Sequence, residues 1–412
     1  MKRLLLAVLV ALVLAPAAQA ERAPTVRFAT FNASLNRSSE GQLVQHLSNP
    51  GVDDVYRRQI RNVAEVIQRV DPDVLLINEF DYAPAAVNLF KQNFLQVSQN
   101  GAPPIFFEHA YIAASNTGIP SGYDLNNDGL IGGPNDAFGF GFFPGQFGMV
   151  VYSKYPIGAV RTFQHFLWKD MPSALLPDDP NTPEPADWYS PEELGVFRLS
   201  SKSHWDVPIQ VGGKTIHFLV SHPTPPVFDD PVVDWNGKRN HDEIRFWSDY
   251  ISPGPRSAYI YDDAGSYGGL HAGQQFVIAG DQNSDPLDGD SIPGSAQLLL
   301  EHPFVNARHT PESLGGSSEA ILQGGANETH LGDPRFDTAD FADTAPGNLR
   351  VDYVLPRKSL HILNSAVFWP RRTDAFFRLT GLFDPVAWGP VGGFPTSDHR
   401  LTWTEVRVGN GN

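Results

Sequence analysis

A chain of 412 residues with 41% hydrophobic content, 8 Trp, 12 Tyr and 27 Phe can bury one large core or two ordinary ones. It contains no cysteine, which excludes thiol chemistry, zinc–thiolate centres and a disulfide scaffold. A formal charge of −16 repels polyanions at long range and speaks against a general nucleic-acid coat, while leaving room for an acidic cleft that holds divalent cations.

The first segment, MKRLLLAVLVALVLAPAAQA, has the charged start, apolar middle and small-residue end of a secretory signal peptide over residues 1–20. Its apolar part is too short for a membrane span, and no later stretch reaches spanning length. The mature chain, 21–412, is therefore expected to be secreted or periplasmic, without a transmembrane segment or an evident protein partner. Loss of Lys2 and Arg3 takes its formal charge from −16 to −18.

From there, apolar runs that alternate or persist over short lengths predict strands. In order these are 26–31, 74–77, 149–152, 216–220, 276–279, 351–355, 361–368 and 401–408. A helix is predicted over 53–70, where Val55, Ile60, Val63, Val66, Ile67 and Val70 share one stripe and Pro72 follows the end. A second is predicted over 240–251, with Asn240 and Glu243 as a capping box. Residues 115–146, 170–193, 223–238 and 306–348 are rich in Gly, Pro, Asn and Asp and read as surface insertions. With no linker, repeat or shift in composition, the expectation is one decorated α/β sandwich domain over 21–412.

The ends of the apolar runs carry the chemistry. "VRFATFN" stops at Asn32, "DVLLINE" at Glu79, "IHFLVSH" at His222, and "FVIAGDQN" at Asp281 and Asn283. Asp352 and the Asp398–His399 pair instead precede their runs. If those last strands run opposite to the others, all these groups meet at one sheet edge. Singly, each is an ordinary turn former or solvated acid. Together they are hard oxygen donors and imidazoles, a set that fits Mg²⁺, Mn²⁺ or Ca²⁺ rather than zinc. Imidazoles move protons near neutral pH. The combination points to metal-assisted hydrolysis of a phosphate ester.

The segments TFNAS, INEFD, VSHPTPP, GDQNSDP, RVDYVLP and SDHRLTW, in this order, resemble the endonuclease/exonuclease/phosphatase superfamily of DNase I-like proteins. The resemblance runs from Val26 to Val408. It implies a four-layer α/β/β/α sandwich of two mainly antiparallel sheets with helices outside. It also implies that Glu79 is the principal metal carboxylate and Asp398 a second one. Asn32 and Asn283 would bind the scissile phosphate or a metal, and Asp281 would orient or deprotonate the attacking water. His399, held by Asp352, would be a general base or transition-state donor, and His222 would stabilise the phosphorane or assist the leaving group. One position departs from the nuclease pattern. Where a carboxylate would steady His222, the nearest residue is Gln146, and a neutral amide does not raise the basicity of an imidazole as a carboxylate does.

Other stretches were weighed on their residues. Asp124, Asn126 and Asp128, followed by Gly129, have the spacing of the first half of a calcium loop, set against an Asx-turn-rich surface loop. Arg239 or His241, and Arg371 or Arg372, could reach an anion, although helix capping or plain surface charge explains them as well. "FGFGFFPGQF" reads as a loop packed on the core rather than a substrate platform. The functional expectation is an exported phosphoesterase that uses Mg²⁺ or Mn²⁺ for catalysis, with Ca²⁺ in a structural role, acting on a phosphate-ester substrate. Nucleic acid is the less favoured substrate. The alternatives are an extracellular nuclease of the same fold and a catalytically silent calcium-binding surface protein.

Overall fold

Side chains alternate across a strand, and that alternation sorts the apolar residues of this chain into three cores. A computed structural model describes residues 23–409; the expected signal peptide, 1–20, lies outside them. The chain lays down β1 (Thr25–Leu35), β2 (Val74–Phe80), β3 (His109–Tyr111) and β4 (Met149–Ser153), then β5 (Arg161–Thr162), β6 (His204–Val211), β7 (Lys214–Ser221) and β8 (Gln275–Asp281). It closes with β9 (Ala339–Asp340), β10 (Asn348–Leu349), β11 (Asp352–Pro356), β12 (His361–Val367) and β13 (Thr402–Arg407). One six-stranded sheet has the order β12-β13-β1-β2-β4-β3, and a five-stranded sheet has the order β11-β8-β7-β6-β5. Only β1–β2 and β7–β8 are parallel pairs within them.

The sheets face each other through Val26, Phe28, Val74, Leu76, Met149 and Val151 on one side and Val207, Ile209, Ile216, Phe218, Val220, Val277 and Ala279 on the other. The opposite parity of β1, Ala29, Phe31, Ala33 and Leu35, packs outward on the helices Gln42–Ser48, Val55–Val70 and Pro84–Phe90. The outer face of the five-stranded sheet, including Leu219, Phe276 and Ile278, is covered by the helix Trp235–Tyr250 through Ile244, Phe246, Trp247 and Tyr250. The result is the expected four-layer α/β/β/α sandwich. Among the described residues no helix is long and apolar enough to cross a membrane.

The helix Val55–Val70 forms as its sequence predicts. The Asp54 side chain accepts from Arg57 N at 2.8 Å, and Asp71 in the left-handed region ends the helix. The second helix departs from expectation. It starts at Trp235, capped by Asp234, whose carboxylate accepts from Gly237 N at 3.1 Å. Asn240 and Glu243 therefore lie inside it, buried, and are not a capping box. The insertion 306–348 is not wholly loop either, since it holds the Ser313-capped helix Leu314–Gln323 and the β9–β10 pair. That pair braces the 397–400 segment: Arg400 Nη2 donates to Asp340 Oδ2 at 2.8 Å, and Arg400 N to Thr338 O at 2.7 Å.

The glycine that interrupts the apolar run of β8 has a steric cause. Gly280 sits at φ 145°, and a Cβ there would lie 2.0 Å from the Ser221 carbonyl oxygen of the neighbouring β7. Only glycine lets the two strands approach closely enough to bring their ends together. Gly280→Ala is expected to lose about 2–5 kcal/mol of unfolding free energy from backbone strain and overpacking. Chemical denaturation checks this, and a loss below about 1 kcal/mol would show that β7 and β8 yield freely here.

Candidate active site

The inward parity of the strands continues past the apolar core into polar residues. Along β1 it runs Val26, Phe28, Thr30, Asn32, and along β2 Val74, Leu76, Asn78. In the other sheet it runs Ile216, Phe218, Val220 to His222, and Val277, Ala279 to Asp281. In the antiparallel β11 it begins at Asp352 and continues to Val354. Side chains on the C-terminal ends of β1, β2, β7 and β8 thus share one rim with the N-terminal end of β11.

Asp281 is the centre of this rim. Asn32 Nδ2 donates to Asp281 Oδ2 at 3.1 Å and to Glu79 Oε1 at 3.1 Å. His222 Nε2 lies 3.3 Å and His399 Nε2 3.6 Å from the same Asp281 oxygen. His399 Nδ1 bonds Asp352 Oδ2 at 2.8 Å. Asn283 N donates to Asp281 Oδ1 at 2.8 Å, and Asn283 Nδ2 is held on Pro223 O at 3.1 Å. Asp398 accepts from Ser397 Oγ at 3.2 Å, and that serine also bonds Ser34 Oγ at 2.9 Å. The structure therefore brings together Asn32, Glu79, His222, Asp281, Asn283, Asp352, Asp398 and His399.

Strand alternation alone would turn Glu79 towards the helices, since Leu75 and Ile77 point there. Glu79 adopts φ 58° beside a register shift between β1 and β2, and Ser34 opposite adopts φ 47°. This irregularity brings the carboxylate to the rim. Asn283, at φ 50°, is the matching left-handed turn after β8.

Burial and charge separate the titrations of these groups. Burial pushes the Glu79 carboxyl up, the Asp398 charge adds to it, and together they bring it to about 7. Burial raises Asp281 too, but the flanking His399 and His222 outweigh it and hold this carboxylate well below its usual range. For His399 burial opposes the charge, and Asp352 and Asp281 overcome it, so the imidazolium persists well above its ordinary value. Burial, then the nearby Lys202 charge, brings His222 down to about 4. Its Nδ1 has no hydrogen-bond partner among the described residues. Gln146 does not supply one: it donates to Arg37 O at 2.7 Å and accepts from Phe142 N at 2.8 Å.

Lys202 is a site residue that the sequence reading missed. It is buried beside His222 on the wall of the adjoining cavity. Burial lowers its pKa against the pull of the Glu243, Glu79 and Asp281 charges. Buried Glu243 holds this wall in place, accepting from Ser201 N at 2.7 Å and Thr224 N at 2.6 Å. Asn240 Nδ2 donates to Thr224 O at 2.8 Å and Gln282 O at 2.9 Å. A signal existed: "SSKSHW" puts a lone lysine just before a segment that pairs with the strand of His222.

The other candidates are not on the rim. Arg239 spends its guanidinium on the carbonyls of Leu199, Phe138 and Arg198. Arg372 is bidentate to Glu319, and His241 pairs with Asp242. In the 124–128 loop, Asp124 accepts from Asp128 N and Gly129 N, Asp128 accepts from Leu130 N, and Asn126 bonds Asp128. The aromatic stretch packs on the core through Phe138, as expected, while its Phe140 and Phe147 line the cavity beside Glu79 and His222.

Two donor sets could hold a metal ion. Asp281, Asp352 and His399 offer ligand atoms that all lie within 4.8 Å of one another. Glu79 and Asp398 form no ion pair among the described residues, and half-buried like charges close enough to raise the Glu79 pKa are a setting that a hard cation relieves.

Two facing sheets that end in a shared rim of carboxylates, amides and imidazoles are the arrangement of the DNase I-like class. The profile of the Endonuclease/Exonuclease/phosphatase family matches residues 29–399. The chain belongs to this family, whose members hydrolyse phosphoester bonds. Among solved structures it is similar to an endonuclease/exonuclease/phosphatase from Beutenbergia cavernae, with 16% identity, TM-score 0.49, and coverage of 95% of this chain and 72% of that one. It is similar also to a family protein from Leptotrichia buccalis, at 13% identity, TM-score 0.44, and coverage of 93% and 100%. Sphingomyelinase C from Streptomyces griseocarneus is similar at 13% identity, TM-score 0.40, and coverage of 93% and 99%. No curated protein matches.

The raised Glu79 pKa has a signed consequence for the metal-free chain. Unfolded, this carboxyl ionises near 4.5, and folded it keeps its proton to about 7. In that window the folded state binds the extra proton, so stability falls as pH rises. Glu79→Gln is expected to remove this component, up to about 3 kcal/mol across the window. Denaturation midpoints at a series of pH values check it, and superimposable profiles for the two proteins would refute the shift.

Proposed function

We propose that this protein is an exported, divalent-metal-dependent phosphoesterase that cleaves a phosphate mono- or diester with an activated water. The observation that carries the reading is the single Asp281 oxygen shared by Asn32, His222 and His399 at the end of the inter-sheet core. An anionic Asp281 is placed to orient a water and take its proton as the new P–O bond forms, while the ester P–O bond breaks and the departing alkoxide takes a proton from solvent. An imidazolium at His399, kept charged by Asp352, offers an N–H to phosphoryl oxygens, where charge grows in the transition state. Asn32 and Asn283 supply neutral amides that fix the phosphate, and Lys202 supplies a desolvated positive charge on the cavity side. His222, neutral near pH 7, contributes a hydrogen bond rather than a charge. Glu79 and Asp398 would hold a Mg²⁺ or Mn²⁺ ion, which when bound neutralises phosphate charge as a Lewis acid.

Chelation is expected to abolish hydrolysis of a chromogenic phosphoester, and added Mg²⁺ or Mn²⁺ to restore it. Asp281→Ala and His399→Ala should each lower kcat by about a hundredfold or more, compared at equal concentrations of folded protein as judged by circular dichroism. Lys202→Met should lose at least about tenfold in kcat/KM, consistent with one charge-assisted contact. Full activity in both the Asp281 and His399 variants would overturn the reading.

A further inference from the structure

The catalytic groups open into a cavity of about 780 Å³, reached past Glu79, Lys202 and His222. Its far walls do not come from the sandwich. Leu125 and Phe140 come from the 115–146 insertion, Tyr189 from 170–193, and Phe228 and Trp235 from 223–238, with Phe147 just beyond the first. Two of these insertions are locked together by Trp188 and Trp235, stacked at 5.2 Å and 14°. The cavity is thus preformed and mainly apolar, with several aromatic rings on its walls.

Two of its phenylalanines occupy backbone conformations that bulky residues rarely adopt. Phe147 sits at φ 56° and Phe228 at φ 70°. Phe228 is also 91% exposed at the tip of its loop. A left-handed backbone at an exposed aromatic that also lines the cavity points to contact with a ligand.

The charges in the cavity set a second limit. Among the described residues only two cations line it: Lys202 at the catalytic end and Arg239, whose guanidinium is spent on three carbonyls. The Asp229 carboxylate lines it as well. A second phosphate along the cavity would meet the Asp229 carboxylate and no free cation among the described lining residues, which disfavours a polynucleotide.

We propose that this cavity binds the non-reacting part of the substrate, and that the substrate is an ester of one phosphate with an apolar alcohol. This rests on the phosphoesterase reading above and adds the substrate class to it. The apolar group fills the space between Phe147, Tyr189, Phe228 and Trp235, and the phosphate stops at Lys202 and the rim.

The test uses a series of p-nitrophenyl alkyl phosphodiesters, methyl through octyl, with the metal-loaded full chain. The value of kcat/KM is expected to rise by about threefold per added methylene until the cavity is full. Phe228→Ala, at an exposed loop tip where folding is not at risk, should reduce the octyl-to-methyl ratio by about tenfold. Octylphosphonate, which cannot be hydrolysed, should bind the native chain saturably in calorimetry and the variant more weakly. Turnover with no chain-length preference and no octylphosphonate binding would overturn this proposal while leaving the phosphoesterase reading intact. Saturable octylphosphonate binding without turnover of any ester would do the reverse. An oligonucleotide cleaved with higher kcat/KM than the octyl ester would also overturn the proposal. Faster cleavage of phosphatidylcholine in vesicles than of its dispersed short-chain form would identify a lipid surface as the source of the ester, and the opposite order a soluble one.

Discussion

A carboxylate deep between two sheets must be neutralised or hydrogen-bonded, and the partners of Asp281 come from every strand end near it. One oxygen draws Asn32 from β1, His222 from the end of β7, and His399 from the segment before β13. The backbone N–H of Asp281 donates to Asn78 Oδ1 at 3.3 Å, and Asn78 Oδ1 also accepts from Thr30 Oγ1 at 3.2 Å. Neither sheet can close over this point without the other. The contact that could do chemistry is therefore also the contact that fixes how the two layers meet, and pKa values pushed apart within one hydrogen-bonded cluster follow from it.

Outside that contact lies a ring of buried polar clamps. Glu243 and Asn240, one turn apart on the helix Trp235–Tyr250, tie down the segments carrying Lys202, His222 and Gln282. Trp247 Nε1 donates to Ser221 Oγ at 2.9 Å from the same helix. On the other side Arg400 and Asp340 hold the turn that presents Asp398 and His399. A chain without disulfides keeps its site rigid this way, with buried charge-assisted hydrogen bonds in place of covalent links.

How much of this was legible depends on what each segment advertises. Strands β1, β2, β4, β7, β8, β11, β12 and β13 announced themselves, because each carries a short apolar or alternating run bounded by polar residues. Strand β6 did not: "HWDVPIQV" contains His204, Asp206 and Pro208, and its polar groups are satisfied only in three dimensions, Asp206 by His217 and Tyr250. Lys202 was hidden for the same reason, since no apolar run pointed to it. The start of the helix Trp235–Tyr250 was misplaced because Asn240 and Glu243 mimic a cap, whereas Gly237, which looks like a breaker, is what Asp234 needs: a Cβ there would come 2.1 Å from its carboxylate oxygen. Glu79 was legible as a residue but not as a conformation, because a left-handed glutamate leaves no mark in sequence. The role of the insertions as cavity walls was equally invisible, since Gly- and Pro-rich stretches do not reveal what they enclose.

The shared parity of Asn32, His222, Asp281 and Asp352 with the apolar rows behind them has an evolutionary side. Adding or deleting one residue in any of these strands would turn its whole inward row over, wetting the core and dispersing the reactive groups in the same event. Unless a bulge absorbs it, such a change costs the core and the rim together. Novelty is confined to the connections, where length is cheap. A lineage can thus exchange one compound for another by recasting its loops, while the reaction itself stays locked to the architecture.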